Sequence, residues 1–169
     1  MRTWRKFAAA AAALLLLSGC TNNQGVAARV NGEIIPASAV STTLHELRPL
    51  LAAGSPGAVL ASFVIGPVFL DAAESIGVGV SAEEAVVFLE SAAASNGIEL
   101  GELSPETIEF GRINLSVNNL LMSPQVEQLL GQIEREILAL DVEINPRYGV
   151  YDETTGYIID AEPPWIVSQ

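Results

Sequence analysis

The chain has 169 residues, of which 50% are apolar, and it carries 20 acidic side chains against 8 basic ones. This length and apolar content are enough for one modest domain with its own core. A net charge of −12 repels phosphate backbones, and the sequence has no basic stripe to offset it, so nucleic-acid binding is excluded.

The first nineteen residues have the three-part pattern of an export signal. Basic residues near the start precede an uncharged apolar run from residue 7 to 17, and the small residues Ser18 and Gly19 follow it. An apolar run of about 7–15 residues is typical of a secretory signal, whereas a membrane-spanning helix needs about 20. We therefore predict that residues 1–19 form a signal peptide.

Cys20 is the single cysteine of the chain and follows this segment directly. Leu17-Ser18-Gly19-Cys20 resembles the lipobox of bacterial lipoproteins, which implies cleavage before Cys20 and acylation of its thiol by fatty acids such as palmitate. An ordinary secretory signal with a chance cysteine is the alternative. Residues 20–169 hold 5 basic and 20 acidic residues, a net charge of −15. We therefore expect attachment to the extracytoplasmic face of the cell membrane through the acyl chains and not through lipid headgroups.

After a polar tether assigned to residues 20–26, the domain is predicted to open with two short strands and a helix. Apolar pairs flank Asn31-Gly32, a dipeptide favoured in tight hairpin turns. Pro36 ends this extended stretch. Ser38 is the predicted N-cap of a first helix that runs to about Leu51.

Helical periodicity predicts four further helices in the middle of the chain. The helix from Ala58 to Ile76 is apolar almost all round and is expected to be the central core helix, with Pro67 kinking it or marking its first turn. Ser81-Ala82-Glu83-Glu84 is a capping box that opens the next helix, which is expected to turn Val86, Val87 and Leu89 inward. Ser104-Pro105 and Ser123-Pro124 open the last two helices, which end near residues 121 and 140.

Towards the C-terminus the pattern changes to the alternation typical of strands. Val142-Glu143-Ile144 is a predicted strand, residues 152–156 form a turn, and Tyr157-Ile158-Ile159 is a returning strand. Pro163-Pro164 interrupts the tail, which is assigned to residues 161–169. The predicted fold class is mostly α, with about five helices closed by a small β-sheet from the N- and C-terminal segments.

Three segments, in this order, resemble the N-terminal domain of SurA/PrsA-type periplasmic and extracytoplasmic chaperones. Val30-Asn31-Gly32-Glu33-Ile34-Ile35 is similar to the opening strand of that family, and residues 71–84 are similar to its segment where one helix ends and the next begins. Residues 141–149 are similar to the closing strand of short actinobacterial-type lipoproteins that keep this domain. The resemblance covers most of residues 27–150, and we assign residues 27–160 to such a domain.

The resemblance implies that the opening strand pairs with a strand from the far end of the chain. It also implies ATP-independent holding or folding assistance for unfolded exported proteins. Members of the family often carry a parvulin-type prolyl isomerase domain with paired histidines. Here the fifth helix leads straight into the closing strand and His45 is the single histidine, so isomerase activity is not expected. A non-catalytic scaffold lipoprotein of the cell envelope is the alternative function.

Candidate client-binding residues are aromatic or flexible apolar side chains, because chaperones contact unfolded chains through exposed, adaptable apolar surface. Most of them belong to the core by default, and a subset is expected to line a groove. The candidates are Phe63, Phe69, Phe110, Met122, Tyr148 and Trp165. Tyr148 lies in the distinctive segment from Asn145 to Gly149. That segment either breaks and turns an edge strand, with Arg147 paired to the acidic surface, or forms a recognition edge with Tyr148 and Trp165 as anchors.

No catalytic or metal site is predicted. His45 lacks a second ligand and is expected to be a surface helix residue, and the chain has no nucleophile–base pair or Gly-rich phosphate loop. The acidic residues between 83 and 109 lack EF-hand spacing, which favours a solvated face over a calcium site. We therefore expect no enzyme activity, no cofactor and no small-molecule substrate.

Overall fold

The computed structural model describes residues 25–51 and 54–159. Over these residues the domain is mostly helical, with five α-helices and small antiparallel sheets, which confirms the coarse fold class expected from the sequence. The predicted signal peptide, Cys20 and the tail from residue 161 lie outside the described residues. The elements are, in chain order, β1 (Val26–Val30), β2 (Glu33–Pro36), α1 (Ala37–Glu46), α2 (Pro56–Ser75), α3 (Ala82–Ser95), α4 (Pro105–Met122), α5 (Val126–Leu138), β3 (Val142–Ile144), a 3-10 turn (Pro146–Tyr148), β4 (Val150–Asp152) and β5 (Tyr157–Ile159).

The first sheet joins the two ends of the domain, as the sequence predicts. Its strand order is β2-β1-β3, with both pairs antiparallel. Asn31 and Gly32 form the turn between β1 and β2 with φ values of 51° and 85°, and this left-handed conformation is the one that an Asn-Gly turn adopts readily. On the other side of β1, Ala28 lies opposite Ile144. Strand β1 begins at Val26.

A second, two-stranded sheet is the hairpin of β4 and β5, in which Val150 lies opposite Ile159. The predicted turn at residues 152–156 is confirmed. The backbone N–H of Gly156 donates to the carbonyl of Asp152 at 2.8 Å, and the Asp152 carboxylate accepts from the N–H of Thr154 at 2.9 Å. This side-chain bond stabilises the turn because it mimics a backbone turn.

Helix α2 is the central core helix. Ser55 caps it, and Leu60, Val64 and Ala73 are at most 1% exposed. It packs against α1, α4 and α5 and also against β1 and β5. In the described part of the chain it is the one helix whose length and apolar content would suit a membrane span. Its packing on all these elements instead makes it the core of the fold, with Pro67 in its interior on the exposed side.

The boundaries of α1 differ from the prediction at both ends. The helix begins at Ala37 without a side-chain cap, because the N–H of Ala37 donates to the carbonyl of Gly25 at 2.8 Å, so Ser38 is not the N-cap. The helix ends at Glu46 and not near Leu51. The physical reason is Pro49, which has no N–H and disfavours helical geometry in the residue before it.

Among the other helix starts, the predicted caps are confirmed at α3 and α4. Ser81 and Glu84 form both hydrogen bonds of a capping box, and the Ser104 side chain accepts from the N–H of Thr107. Helix α5 begins later than expected, at Val126, because Pro124 and Gln125 form a turn before it, in which the N–H of Val126 donates to the carbonyl of Ser123 at 3.2 Å.

A polar network ties the end of α1 to the start of α4. One oxygen of the Glu46 carboxylate accepts hydrogen bonds from the N–H and the hydroxyl of Ser104, each at 3.0 Å. The hydroxyl oxygens of Thr107 and Thr43 lie 3.4 Å apart, and both threonines are fully buried. Burial raises the pKa of Glu46, but hydrogen bonds from Thr107 and Ser104 outweigh this effect and bring it below its ordinary value of 4.5.

We expect Glu46→Gln to remove part of the acid sensitivity of the domain. Because the pKa of Glu46 is lowered on folding, ionised Glu46 contributes stability that is present above pH 4.5 and lost as the pH falls through the folded-state pKa. Wild type should therefore be more stable than the variant at pH 7, and the gap should shrink below pH 4.5. Urea unfolding at a series of pH values from 7 to below 4.5 measures the difference in the free energy of unfolding between wild type and variant. Glu90→Gln, on the exposed face of α3, is the control. A gap that stays constant with pH would contradict the expectation.

Candidate functional site

One depression lies between α3 and α4, and a second adjoins it between the loop before α3 and the end of α4; together we call them the α3–α4 groove. They have volumes of about 470 Å³ and about 460 Å³, and Asn119 borders both. The first is lined by Glu83, Glu84, Val87, Phe88, Leu115 and Asn119. The second is lined by residues 77–79, 119 and 122–124.

Helical spacing explains why these side chains meet. Leu115, Asn119 and Met122 are separated by four and three residues on α4, so they lie along one face of that helix. On the α3 side, Val87 and Phe88 border the first depression. Below them the two helices touch closely at Gly111, where an added Cβ would lie 2.8 Å from a methyl group of Leu89. The groove is the surface above this contact.

The groove exposes large apolar side chains to water. Met122 is 81% exposed, the highest value for a large apolar residue in the described part of the chain, and Val87 is 61% exposed. Phe88 and Leu115 are half-buried between them. Exposed apolar surface is stabilised when a partner covers it, by about 25 cal/mol per Å². The groove is therefore suited to apolar side chains of a binding partner.

Hydrogen bonds to α4 hold the loop that forms one end of the groove. The side-chain amide of Asn119 donates to the carbonyl of Val78 at 3.4 Å, and the guanidinium of Arg112 donates to the carbonyl of Val80 at 3.0 Å. Gly77, with φ of 74°, ends α2 and starts this loop. These contacts fix the wall of the groove before any partner arrives.

The rim of the groove is acidic. The carboxylate of Glu84 accepts from the N–H of Ser81 at 2.8 Å. Hydrogen bonds from the backbone and the side chain of Ser81 lower the pKa of Glu84, so this residue keeps its negative charge into mildly acidic solution. Glu83 adds a second exposed carboxylate. The rim therefore favours a partner that carries basic groups beside its apolar ones.

The basic residue near this rim does not offset its charge, because acidic side chains already surround it. The guanidinium of Arg112 lies 2.8 Å from the carboxylate of Glu109 and 3.7 Å from that of Glu74. These two carboxylates balance the positive charge of Arg112 locally. The charge that remains for a partner at the groove is negative.

Of the six side chains predicted from the sequence, the five that the structure describes do not lie on one surface. Phe110 and Tyr148 are each only 8% exposed, which places them in the core and not on a binding surface. Phe63 is half-buried and packs edge-on against Phe110, with ring centroids 6.2 Å apart. Phe69 packs against a separate core cluster, built from Val68, Ala72, Ala73, Leu120 and Ile133. Met122 lines the groove, and Trp165 lies outside the described residues.

Sequence reasoning did not select the groove residues of α3. Val87 was expected to face inward, but the buried positions of α3 are Ala85, Leu89 and Ala93. At 100° per residue, Val87 lies about 200° from Ala85 and thus on the opposite side of the helix. The small alanines carry the buried face here, and alanine gives a weaker hydrophobic signal than the valine that points outward.

The distinctive segment from Asn145 to Gly149 has a structural role. The N–H of Asn145 donates to the carbonyl of Ala27 at 2.9 Å, which extends the pairing with β1, and Pro146 opens the 3-10 turn. The guanidinium of Arg147 lies 4.5 Å from the centre of the Tyr148 ring. Arg147 therefore contacts this aromatic ring, where the sequence predicted an acidic partner.

In the two described stretches of the chain, no group of three or more His, Cys, Asp or Glu side chains is placed to hold a metal ion. His45 lies exposed in the last turn of α1. No protein-family model, curated protein or solved structure matches the chain.

Proposed function

We propose that the protein is an exported lipoprotein, anchored through Cys20 at the extracytoplasmic face of the membrane, that holds unfolded exported proteins without ATP. The observation that carries this proposal is the α3–α4 groove with its exposed Val87 and Met122. The pairing of β1 with β3 supports a SurA-like domain, because the resemblance implies such a closure of the two chain ends.

The proposed occupant of the groove is an extended segment with apolar side chains next to lysine or arginine. Met122 suits varied apolar side chains because methionine is flexible and polarizable. Glu83 and Glu84 on the rim favour nearby basic groups. A surface that accepts many sequences in this way binds each weakly, with a Kd on the order of micromolar, or about −8 kcal/mol.

The proposal is tested by suppression of aggregation. The protein, added in several-fold molar excess, should slow the light scattering of a denatured exported protein as it is diluted from urea. The double variant Val87→Ser with Met122→Ser should lose most of this effect, since both side chains are exposed and their loss should leave the fold intact. Ile34→Ser, on β2 and 53% exposed, makes the same kind of change away from the groove and should retain the effect.

High salt distinguishes suppression of aggregation through apolar contact from suppression through charge repulsion. Suppression through the groove should persist at 1 M salt, where the Debye length is about 3 Å. Suppression that vanishes with salt would show that charge repulsion alone keeps the client soluble. Absence of suppression by wild type would overturn the holding function and favour a scaffold that recruits a single envelope partner.

A further inference from the structure

The β4–β5 hairpin carries an apolar face that points away from the core. Val150 lies directly opposite Ile159, and Tyr157 is two residues before Ile159, so the three side chains share one face of the hairpin. Val150 is 50% exposed, Ile159 52% and Tyr157 65%. Asp152, opposite Tyr157, belongs to the same face, so the hairpin presents three large exposed apolar side chains beside one carboxylate.

The opposite face of the hairpin is apolar as well. Tyr151 and Ile158 pack against the core cluster that includes Leu60 and Tyr148, and the Tyr151 hydroxyl donates to the carbonyl of Ile137 at 3.2 Å. An antiparallel sheet with one face in water normally alternates apolar inward and polar outward residues. Large apolar side chains on both faces, even with Asp152 on the outer one, are the pattern of a strand pair covered on both sides.

The next segment of the chain is in the right place to provide this cover. Strand β5 ends at Ile159, and residues 160–169 follow it directly. They include Pro163-Pro164 and then three consecutive large apolar residues, Trp165-Ile166-Val167. Trp165 is six positions after Ile159, which corresponds to a reach of up to about 20 Å. The hairpin strands of three residues are only about 10 Å long, so the segment can fold back over them.

We propose that Trp165-Ile166-Val167 packs on the outer face of the hairpin formed by Val150, Tyr157 and Ile159. The two prolines favour a reversal, because they cannot continue the ladder of a sheet as hydrogen-bond donors. A tryptophan has a large apolar area and fits a face with an exposed tyrosine and two branched side chains. This assigns Trp165 to a contact within the chain in place of the client contact that the sequence suggests. The assignment is independent of the proposed function.

Tryptophan fluorescence tests the contact, because Trp4 and Trp165 are the two tryptophans of the chain. In the full chain with Trp4→Phe, purified in detergent, Trp165 is the single emitter. Its emission should be blue-shifted, and its acrylamide quenching constant should be several-fold smaller than in the urea-unfolded chain. If acrylamide quenched Trp165 equally in the folded and the unfolded chain, the proposal would be overturned. This outcome does not depend on any substitution in the hairpin.

Variants identify the covering surface. Tyr157→Ser with Ile159→Ser should raise quenching of Trp165 towards the unfolded value while the helical circular dichroism is kept, whereas Ile34→Ser should leave it unchanged. In the chain that carries Trp4→Phe, adding Trp165→Phe and Ile34→Trp leaves one tryptophan at an exposed position and reports the shielding that detergent alone gives there. The proposal would be contradicted if Trp165 were shielded no more than the tryptophan of this control. It would also be contradicted if the shielding grew with protein concentration, because a second copy of the chain would then provide the cover.

Discussion

Replacing Gly156 by alanine should destabilise the domain by about 2–5 kcal/mol, whereas the same change at Gly97 should cost about 1–2 kcal/mol. The two glycines have nearly the same backbone conformation, with φ of 72° and 69°. Alanine therefore meets the same left-handed strain at both positions. The loss of glycine's conformational freedom in the unfolded chain is also the same for both changes.

The difference between the two positions is what a methyl group would meet. At Gly97 an added Cβ has open space around it, whereas at Gly156 it would collide with the Cγ2 atom of Ile137 on α5. Isoleucine is branched at Cβ and rotates little, so it cannot move aside cheaply. The hairpin turn would have to lift from α5, and overpacking of this kind costs about 1–3 kcal/mol.

Urea unfolding of both variants and wild type, under identical conditions, measures the difference. We expect the midpoint for Gly156→Ala to fall well below that for Gly97→Ala. The double variant Gly156→Ala with Ile137→Ala makes room for the methyl group. It should show coupling, because the second change relieves the collision caused by the first. Equal destabilisation by the two single changes would show that the hairpin turn does not rest on α5.

The elements that could be predicted from the sequence are those specified by neighbouring residues. Asn31-Gly32 specifies its turn because both residues adopt positive φ readily, and Ser81 with Glu84 specifies a helix start through two reciprocal hydrogen bonds. The start of α1 could not be found in this way. Its first N–H bonds to the carbonyl of Gly25, a residue twelve positions earlier that only the folded sheet brings near.

The candidate site was harder to predict than the fold because side-chain size does not determine exposure. Phe110 is large and buried between helices, whereas Met122, in the last turn of the same helix, is 81% exposed. The groove depends on how α3 is rotated against α4. That rotation is set by Gly111 and the alanines of α3, which carry little signal in a search for large apolar residues. Periodicity predicts that a helix has a buried face, but a helix rich in alanine leaves the direction of that face open.

Replacing Cys20 by serine should abolish lipid labelling and move the protein from the membrane fraction to the soluble fraction. A serine hydroxyl does not replace the thiol in the acylation that the lipobox resemblance implies. The remainder of the chain has a net charge of −15 from residue 20 onward, so anionic headgroups repel it. The apolar run from residue 7 to 17 is shorter than the roughly 20 residues of a membrane span, so it is a poor substitute for the anchor.

The experiment combines metabolic labelling with an alkyne fatty acid and fractionation of membranes after a high-salt wash. Ser18→Ala is the matched control, because it changes a neighbouring residue but keeps a small side chain before the cysteine. We expect this control to retain both the label and the membrane association, since stable anchoring by acyl chains depends on the lipids and not on this side chain. A Cys20→Ser protein that still takes up label would place the lipid elsewhere. One that stays with salt-washed membranes without label would show that the lipid on Cys20 is not the anchor.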